Sequence, residues 1–202
     1  MQAQSRLPMD SQLTVPVIYG SVRKERQGIK FALFVCGQLR ERGINAVLID
    51  PLEHQFPLLD RMYKEFPPGE APPVMSELAA LFKRADGFMV VSGEYNNGIP
   101  PALKNLMDHF LEEYFWRPAA IACYSGGRWG GVRGAMQLRM TLAEMGMVTI
   151  PSLLPMARVG EAFTDDGTPL DKNTISFSKQ FFDEFLWYVE ALCAERRKGV
   201  PY

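Results

Sequence analysis

Short apolar runs alternate with amphipathic segments from Leu13 to the end of this chain. A strand buried on both faces gives a short apolar run, and a helix that covers a sheet has one apolar face. The alternation therefore predicts the order βαβαβαβαβα, which is typical of a doubly wound, five-stranded parallel sheet in a three-layer α/β/α fold. The predicted strands are Leu13–Tyr19, Ile44–Ile49, Gly87–Val91, Ala119–Tyr124 and Met147–Leu154.

Two helices show apolar positions that repeat three and four residues apart. The stripe from Leu103 to Leu111 predicts a helix over Pro100–Tyr114, which begins at two prolines. A second stripe from Phe181 to Leu192 predicts the last helix. Five strands and five helices fill one domain, so we predict a single domain over residues 13–202 after a polar N-terminal extension over residues 1–12.

Two segments are longer than ordinary connections. Pro51–Pro73 holds six of the 15 prolines, which predicts an extended, stiffened excursion rather than a continuous helix. Ala157–Lys172 follows the last strand, and Asp165, Asp166 and Gly167 mark a turn within it. It is either a plain surface hairpin or a loop that serves a site.

Composition narrows the class of protein. Lys and Arg total 22 against 23 Asp and Glu. A chain with this near-neutral balance has no strong positive potential to attract nucleic acid or an anionic membrane surface. Neither a spanning segment nor a secretion signal is found, so a cytoplasmic location is expected. Cys36, Cys123 and Cys193 are far apart and form no metal-binding cluster, so we predict buried thiols and no metal site.

Ligands of open parallel sheets bind beyond the carboxyl ends of the strands, which directs attention to three loops. The first, Gly20–Gly28, places a glycine turn, a hydroxyl and two arginines before a helix N-terminus, which suits a phosphate dianion. An ordinary turn with solvated basic side chains is equally compatible with it. The motifs of ATP-binding P-loops and of dinucleotide-binding Rossmann folds are absent.

The other two loops can hold a flat ring. Ser92–Pro100 offers Asn96 and Asn97 with Tyr95 as an aromatic face, although a polar turn with an incidental aromatic is the simpler interpretation. Ser125–Gly131 has four glycines, more than a turn requires, which indicates close main-chain approach to a ligand. Backbone N–H groups there would stabilise an electron-rich ring.

Together these loops resemble those of the NADPH-dependent FMN reductases, a flavodoxin-like family that includes azo-dye, quinone and chromate reductases. The resemblance covers about residues 13 to 146. Ser92-Gly93 departs from it, because the family usually has a proline before the Glu, and this departure predicts a looser loop. The matching segments are Gly20-Ser21-Val22-Arg23, then Glu94-Tyr95-Asn96 with Pro101, Leu103, Lys104, Asn105 and Asp108, then Ser125-Gly126-Gly127 with Gly130-Gly131.

The resemblance implies which residues bind the cofactor FMN. They are Gly20, Ser21, Arg23, Arg26 and Gly28 at the phosphate, Glu94, Tyr95 and Asn96 beside the isoalloxazine, and Ser125, Gly126 and Gly127 at its pyrimidine edge. Trp129 either covers the ring or packs between helices or subunits.

The resemblance also implies an activity. Hydride would pass from NADPH or NADH through FMN to a quinone, an azo compound, a metal oxyanion or free flavin, in a ping-pong cycle that needs no catalytic side chain. It implies a homodimer or homotetramer, with Pro100–Tyr114 packing against its equivalent. The alternatives are a flavodoxin-type electron carrier, whose usual acidic excess is missing here, and a flavin-binding redox sensor without turnover.

Overall fold

A computed structural model describes residues 12–202. The polar extension predicted over residues 1–12 lies outside the described residues, except for Gln12, whose side-chain amide donates to the Gly43 carbonyl at 2.9 Å. Among the described residues, no helix has the length and apolar character needed to cross a membrane.

The five predicted strands form one parallel sheet in the spatial order β2-β1-β3-β4-β5. This order is the flavodoxin-like one, in which the crossover direction reverses between β1 and β3 and opens a crevice at the carboxyl edge. The predicted fold class is confirmed. The strands are β1 (Thr14–Tyr19), β2 (Asn45–Ile49), β3 (Phe88–Gly93), β4 (Pro118–Tyr124) and β5 (Val148–Met156).

Helices cover both faces of the sheet. One apolar cluster joins α1 and α5 to the sheet, and a second joins α2, α3 and α4 to the opposite face, which gives the three predicted layers. The helices are α1 (Gly28–Glu41), α2 (Pro73–Arg84), α3 (Pro101–Asp108), α4 (Val132–Glu144) and α5 (Asn173–Arg196).

The helix predicted over Pro100–Tyr114 is wrong in its length, because α3 ends at Asp108. The apolar stripe continues through Phe110, but this ring points into the core and lies 5.0 Å from the ring of Phe82. The chain then leaves helical geometry at Leu111, with φ −147° and ψ −68°. Tertiary packing, rather than local periodicity, decides where this helix stops.

The proline-rich excursion after β2 is confirmed. Between β2 and α2 it contains no α-helix, only a 3₁₀ turn at Tyr63–Glu65. Asn105 of α3 fixes the loop, because its side chain accepts from the Leu59 N–H at 3.0 Å and donates to the Pro57 carbonyl at 2.8 Å. Asn105 therefore serves the fold in this structure.

The three cysteines are free and buried, as predicted. Burial raises the pKa of Cys36 to about 11 and that of Cys123 to about 12. These thiols stay protonated at neutral pH and do not offer a nucleophile.

Strand β5 forms one edge of the sheet, and it includes Pro151 and Pro155. Proline has no backbone N–H, so neither residue can donate a hydrogen bond to a further strand at this edge. The opposite edge is β2, which has only five residues.

Candidate functional site

A cleft of about 610 Å³ lies at the carboxyl edge of the sheet. Four loops form its walls, and they follow β1, β3, β4 and β5. The first three are the loops singled out in the sequence. The predicted site residues that line the cleft are Ser21, Arg23, Arg26, Gly28, Glu94, Tyr95, Ser125 and Gly126; Gly20, Asn96 and Gly127 do not line it.

The N-terminus of α1 opens into this cleft. Within residues 12–202, the backbone N–H groups of Gln27 and Gly28 donate to no protein acceptor. The side chains of Arg23 and Lys24 are exposed beside them, and neither forms an ion pair with another described residue. Free amides at a positive helix end, together with two uncommitted cations, form a site for a phosphate dianion.

Arg26 is held differently from Arg23. Its guanidinium makes two hydrogen bonds of 2.5 Å to the carboxylate of Asp50 and a third, of 3.1 Å, to the Ser21 carbonyl. Asp50 is only 3% exposed. The hydrogen bonds from Arg26 to its carboxylate stabilise the charged guanidinium and so raise the pKa of Arg26. Arg26 thus neutralises a buried carboxylate and fixes the turn after β1, and its contact with a phosphate stays a prediction.

A hydroxyl pair joins two of the loops. The Oγ of Ser21 and the phenolic oxygen of Tyr95 are 2.9 Å apart. Ser21 is buried, and its Oγ also accepts from the Arg23 N–H at 3.4 Å. The loop after β1 is therefore tied to the loop after β3.

Tyr124, the last residue of β4, lies beneath the cleft. A Cβ atom placed on Gly28 would lie 2.0 Å from the Tyr124 ring, and one on Gly93 would lie 3.1 Å from it. The Tyr124 hydroxyl donates to the hydroxyl of Tyr19 at 3.3 Å, and burial raises the pKa of both phenols. The absence of side chains at Gly28 and Gly93 thus leaves space for the neutral Tyr124 ring at the base of the cleft.

The loop after β3 is a tight hairpin. Tyr95 and Gly98 exchange two backbone hydrogen bonds of 3.1 and 2.9 Å. Asn96 and Asn97 occupy the left-handed region with φ of 50° and 66°, as hairpins with a type I′ turn require. The amide of Asn96 is exposed at the tip of this hairpin, so its predicted place beside the isoalloxazine stays a prediction.

Glu94 binds the N-terminus of α4. Its Oε2 accepts from the N–H groups of Arg133 and Gly134, both at 3.0 Å, and its Oε1 lies 3.0 Å from the Arg133 guanidinium. These bonds and the hairpin hold the loop after β3 in place, and whether it is looser than in proteins with a proline before the Glu stays a prediction. Glu94 positions two loops against each other.

The glycine-rich loop presents open main chain. Within the described residues, the N–H groups of Gly126 and Gly127 have no acceptor, and a Cβ on either glycine would meet nothing within 4 Å. The Ser125 hydroxyl instead donates to the Gly127 carbonyl at 3.0 Å. Gly126 can therefore offer its N–H to a ligand in the cleft.

Gly20 acts through packing. A Cβ atom at Gly20 would lie 3.0 Å from the Cβ of Leu103, so its absence lets α3 approach the end of β1. The predicted role of Gly20 at the phosphate remains untested.

The fourth wall comes from Ala157–Lys172, for which the sequence left a surface hairpin and a site loop open and named no site residue. Arg158, at φ 47°, and the 3₁₀ turn Val159–Glu161 line the cleft after β5. Further on, Phe163 is buried against the rings of Phe31 and Phe34. Ala157–Lys172 is thus both a hairpin, closed by the Phe163–Pro169 bridge, and a wall of the site. Because this loop follows the carboxyl end of β5, its position in the sequence could have predicted that it lines the cleft.

Fold and cleft together define a flavodoxin-like protein that binds a phosphorylated flat ring. One end of the cleft has free amides and cations for a phosphate, and the other has open main chain beside Gly126 for a polar ring edge. These residues fit FMN.

The chain belongs to the NADPH-dependent FMN reductase family, whose sequence pattern matches residues 13–161. It is an oxidoreductase that uses FMN and NAD(P)H. It is 29% identical over 191 residues to a quinone reductase of Pseudomonas putida, covering 90% of this chain and 97% of that one. It is 32% identical over 101 residues to an NAD(P)H-dependent FMN reductase of Schizosaccharomyces pombe, covering 48% and 50%.

A solved structure shares the fold. FerB, a flavoenzyme NAD(P)H:(acceptor) oxidoreductase from Paracoccus denitrificans, superposes with a TM-score of 0.73 at 24% identity. The superposition covers 89% of this chain and 98% of FerB. The flavodoxin-like architecture therefore extends over nearly the whole described chain.

Proposed function

We propose that this chain transfers two electrons from NAD(P)H through FMN to a small-molecule acceptor: a quinone, an azo compound, a metal oxyanion or free flavin. Bound FMN supplies the redox chemistry, because its ring accepts a hydride and later gives up the electrons. The observation that carries the proposal is the pair of uncommitted cations beside the open N-terminus of α1, in the same cleft as the open main chain of Gly126.

The residues of the cleft would bind FMN and orient its ring. Arg23 and Lys24, with the amides of Gln27 and Gly28, would hold the FMN phosphate, while Arg26 keeps the turn in shape through Asp50. At the other end, the Gly126 N–H would donate to the pyrimidine edge of the ring. The neutral, buried phenol of Tyr124 lines the cleft, and its hydrogen bond to the buried Tyr19 hydroxyl fixes its position.

A spectroscopic experiment tests the activity. We expect purified protein mixed with FMN to retain yellow colour through gel filtration. Anaerobic NADPH should then bleach it, and a soluble benzoquinone should restore it over repeated cycles. Bleaching that needs a separate reductase protein would favour an electron carrier, and a pigment that NAD(P)H never bleaches would favour a sensor. Protein that stays colourless would contradict the proposal.

Arg23→Ala tests the phosphate site. Because the substitution removes a charge-assisted contact worth about 1.5–3 kcal/mol, we expect FMN to bind roughly tenfold to a hundredfold more weakly. Fluorescence titration of FMN measures this. Arg84→Ala is the matched control, since Arg84 is exposed at the end of α2, at the opposite edge of the sheet. Equal affinities in the two variants would place the phosphate elsewhere.

Assembly and location are part of the proposal. The outer face of α3 carries the Lys104–Asp108 ion pair, whereas α4 presents Met136 and Met140, which are 47% and 69% exposed. We therefore place the contact of a homodimer or homotetramer on α4 rather than α3, and light scattering tests the mass. The three free buried thiols support a reducing compartment, the cytoplasm.

A further inference from the structure

Arg128 and Trp129 lie in the middle of the glycine-rich loop Ser125–Gly131, and neither has a role in the proposed binding of FMN. Trp129 is 56% exposed. The Arg128 guanidinium lies over its ring, 4.6 Å from the centroid, and that of Arg133 lies 5.8 Å from the same centroid. A large indole with two cations near its ring is thus kept at the surface rather than buried in the core.

The cluster carries one uncompensated positive charge. Arg133 is paired with Glu94 at 3.0 Å, so its charge is balanced. Arg128, by contrast, forms no ion pair within residues 12–202. The unpaired guanidinium of Arg128 can bind an anion, and the exposed indole beside it can stack on a flat ring. Together they suit a ligand that carries both groups.

The position of the cluster relates it to the cleft. Gly126, two residues before Arg128, lines the cleft, and so does Glu94, which binds Arg133. Arg128 and Trp129 do not themselves line the cleft, but they are connected to it through the chain after Gly126 and through the Arg133–Glu94 ion pair. Arg23 and Lys24, the cations assigned to the FMN phosphate, come from the loop after β1, whereas Arg128 comes from the loop after β4.

We propose that Arg128 and Trp129 bind the 2′-phosphoadenosine half of NADPH and make this chain prefer NADPH over NADH. Adenine stacks on an aromatic side chain, and a phosphate monoester is recognised by a guanidinium fork. NADH lacks the 2′-phosphate, so only NADPH uses the free charge of Arg128. The proposal rests on the proposed function, in which NAD(P)H enters the cleft already loaded with FMN.

Binding of nucleotide fragments tests the site without turnover. Calorimetry on the FMN-loaded protein would compare adenosine 2′,5′-bisphosphate with 5′-AMP. We expect the bisphosphate to bind about tenfold more tightly, because it gains one charge-assisted contact. Arg128→Ala should abolish this preference. Trp129→Ala should weaken both fragments, and Trp129→Phe should keep most of the binding because a stacking surface remains.

Arg61→Ala is the matched control. Arg61 also stacks on an aromatic ring, at 4.7 Å from the centroid of Phe66, but it lies in the excursion after the edge strand β2. This variant should behave as wild type. In steady-state kinetics, Arg128→Ala should raise the KM for NADPH about tenfold and leave the KM for NADH unchanged.

Three results would overturn the proposal. The first is equal binding of the two fragments to the wild-type protein, or no binding of either. The second is an Arg128→Ala variant that keeps the preference. The third is a Trp129→Ala variant that lowers the mass in light scattering yet binds both fragments normally, which would make Trp129 a subunit contact. Failure of the proposed function is distinguishable, because FMN would then not bind or not be bleached.

Discussion

Arg26→Ala is expected to lower the free energy of unfolding by about 3–5 kcal/mol, because it leaves the Asp50 carboxylate buried without its partner. Asp50 is only 3% exposed, and the Leu52 N–H at 2.9 Å is its remaining donor after the change. Urea denaturation measures the loss. The surface variant Lys179→Ala, which breaks the exposed pair with Asp183, should cost no more than about 0.5 kcal/mol.

A double variant separates charge from packing in this result. Asp50→Asn keeps an oxygen for the Leu52 N–H but removes the charge, so combining it with Arg26→Ala should recover much of the lost stability. If the double variant is as unstable as the sum of the two single variants, the ion pair is not the cause. Arg26→Ala also contrasts with Arg23→Ala, which should weaken FMN binding and leave stability unchanged.

Gly28→Ala is expected to destabilise the protein by about 1–3 kcal/mol through overpacking. The new methyl group would lie 2.0 Å from the Tyr124 ring, which is buried and bonded to Tyr19 and cannot move freely. FMN affinity should fall with it, because Gly28 begins α1 at the cleft. Urea denaturation and FMN titration of one preparation measure both effects.

Gly37→Ala provides the control in the same helix. A Cβ at Gly37 meets nothing within 4 Å, so this change should stabilise the protein by about 0.5–1 kcal/mol through helix propensity. Adding Tyr124→Ala to Gly28→Ala should remove the clash, so the double variant should be more stable than the two single effects predict. Additive effects, or a Gly28→Ala variant as stable as Gly37→Ala, would contradict the explanation.

The sheet could be predicted from sequence because its strands are buried on both faces. Each strand then appears as a short apolar run, and β1, β3 and β4 are completely buried in the structure. The end of α3 could not be predicted in this way. Phe110 continues the helical stripe, and only its packing against Phe82 in three dimensions shows that the helix has already ended.

The loops of the site could be located from glycines, hydroxyls and cations near strand ends. Their internal bonds could not, since these depend on residues distant in sequence. Arg26 is bound by Asp50, 24 residues later, and Glu94 binds the start of a helix about 40 residues later. Arg23 and Arg26 are of the same type and three positions apart, yet only the structure distinguishes the free guanidinium from the committed one.

The two prolines of β5 restrict how copies of this protein can associate. A strand of another molecule that paired with β5 would need N–H donors along that edge, and Pro151 and Pro155 supply none. Pairing of another molecule's strand with β5 is therefore disfavoured, which lowers the tendency of this apolar sheet to form fibrous aggregates. Copies that meet on this side of the molecule would therefore contact each other through helices rather than through strand pairing.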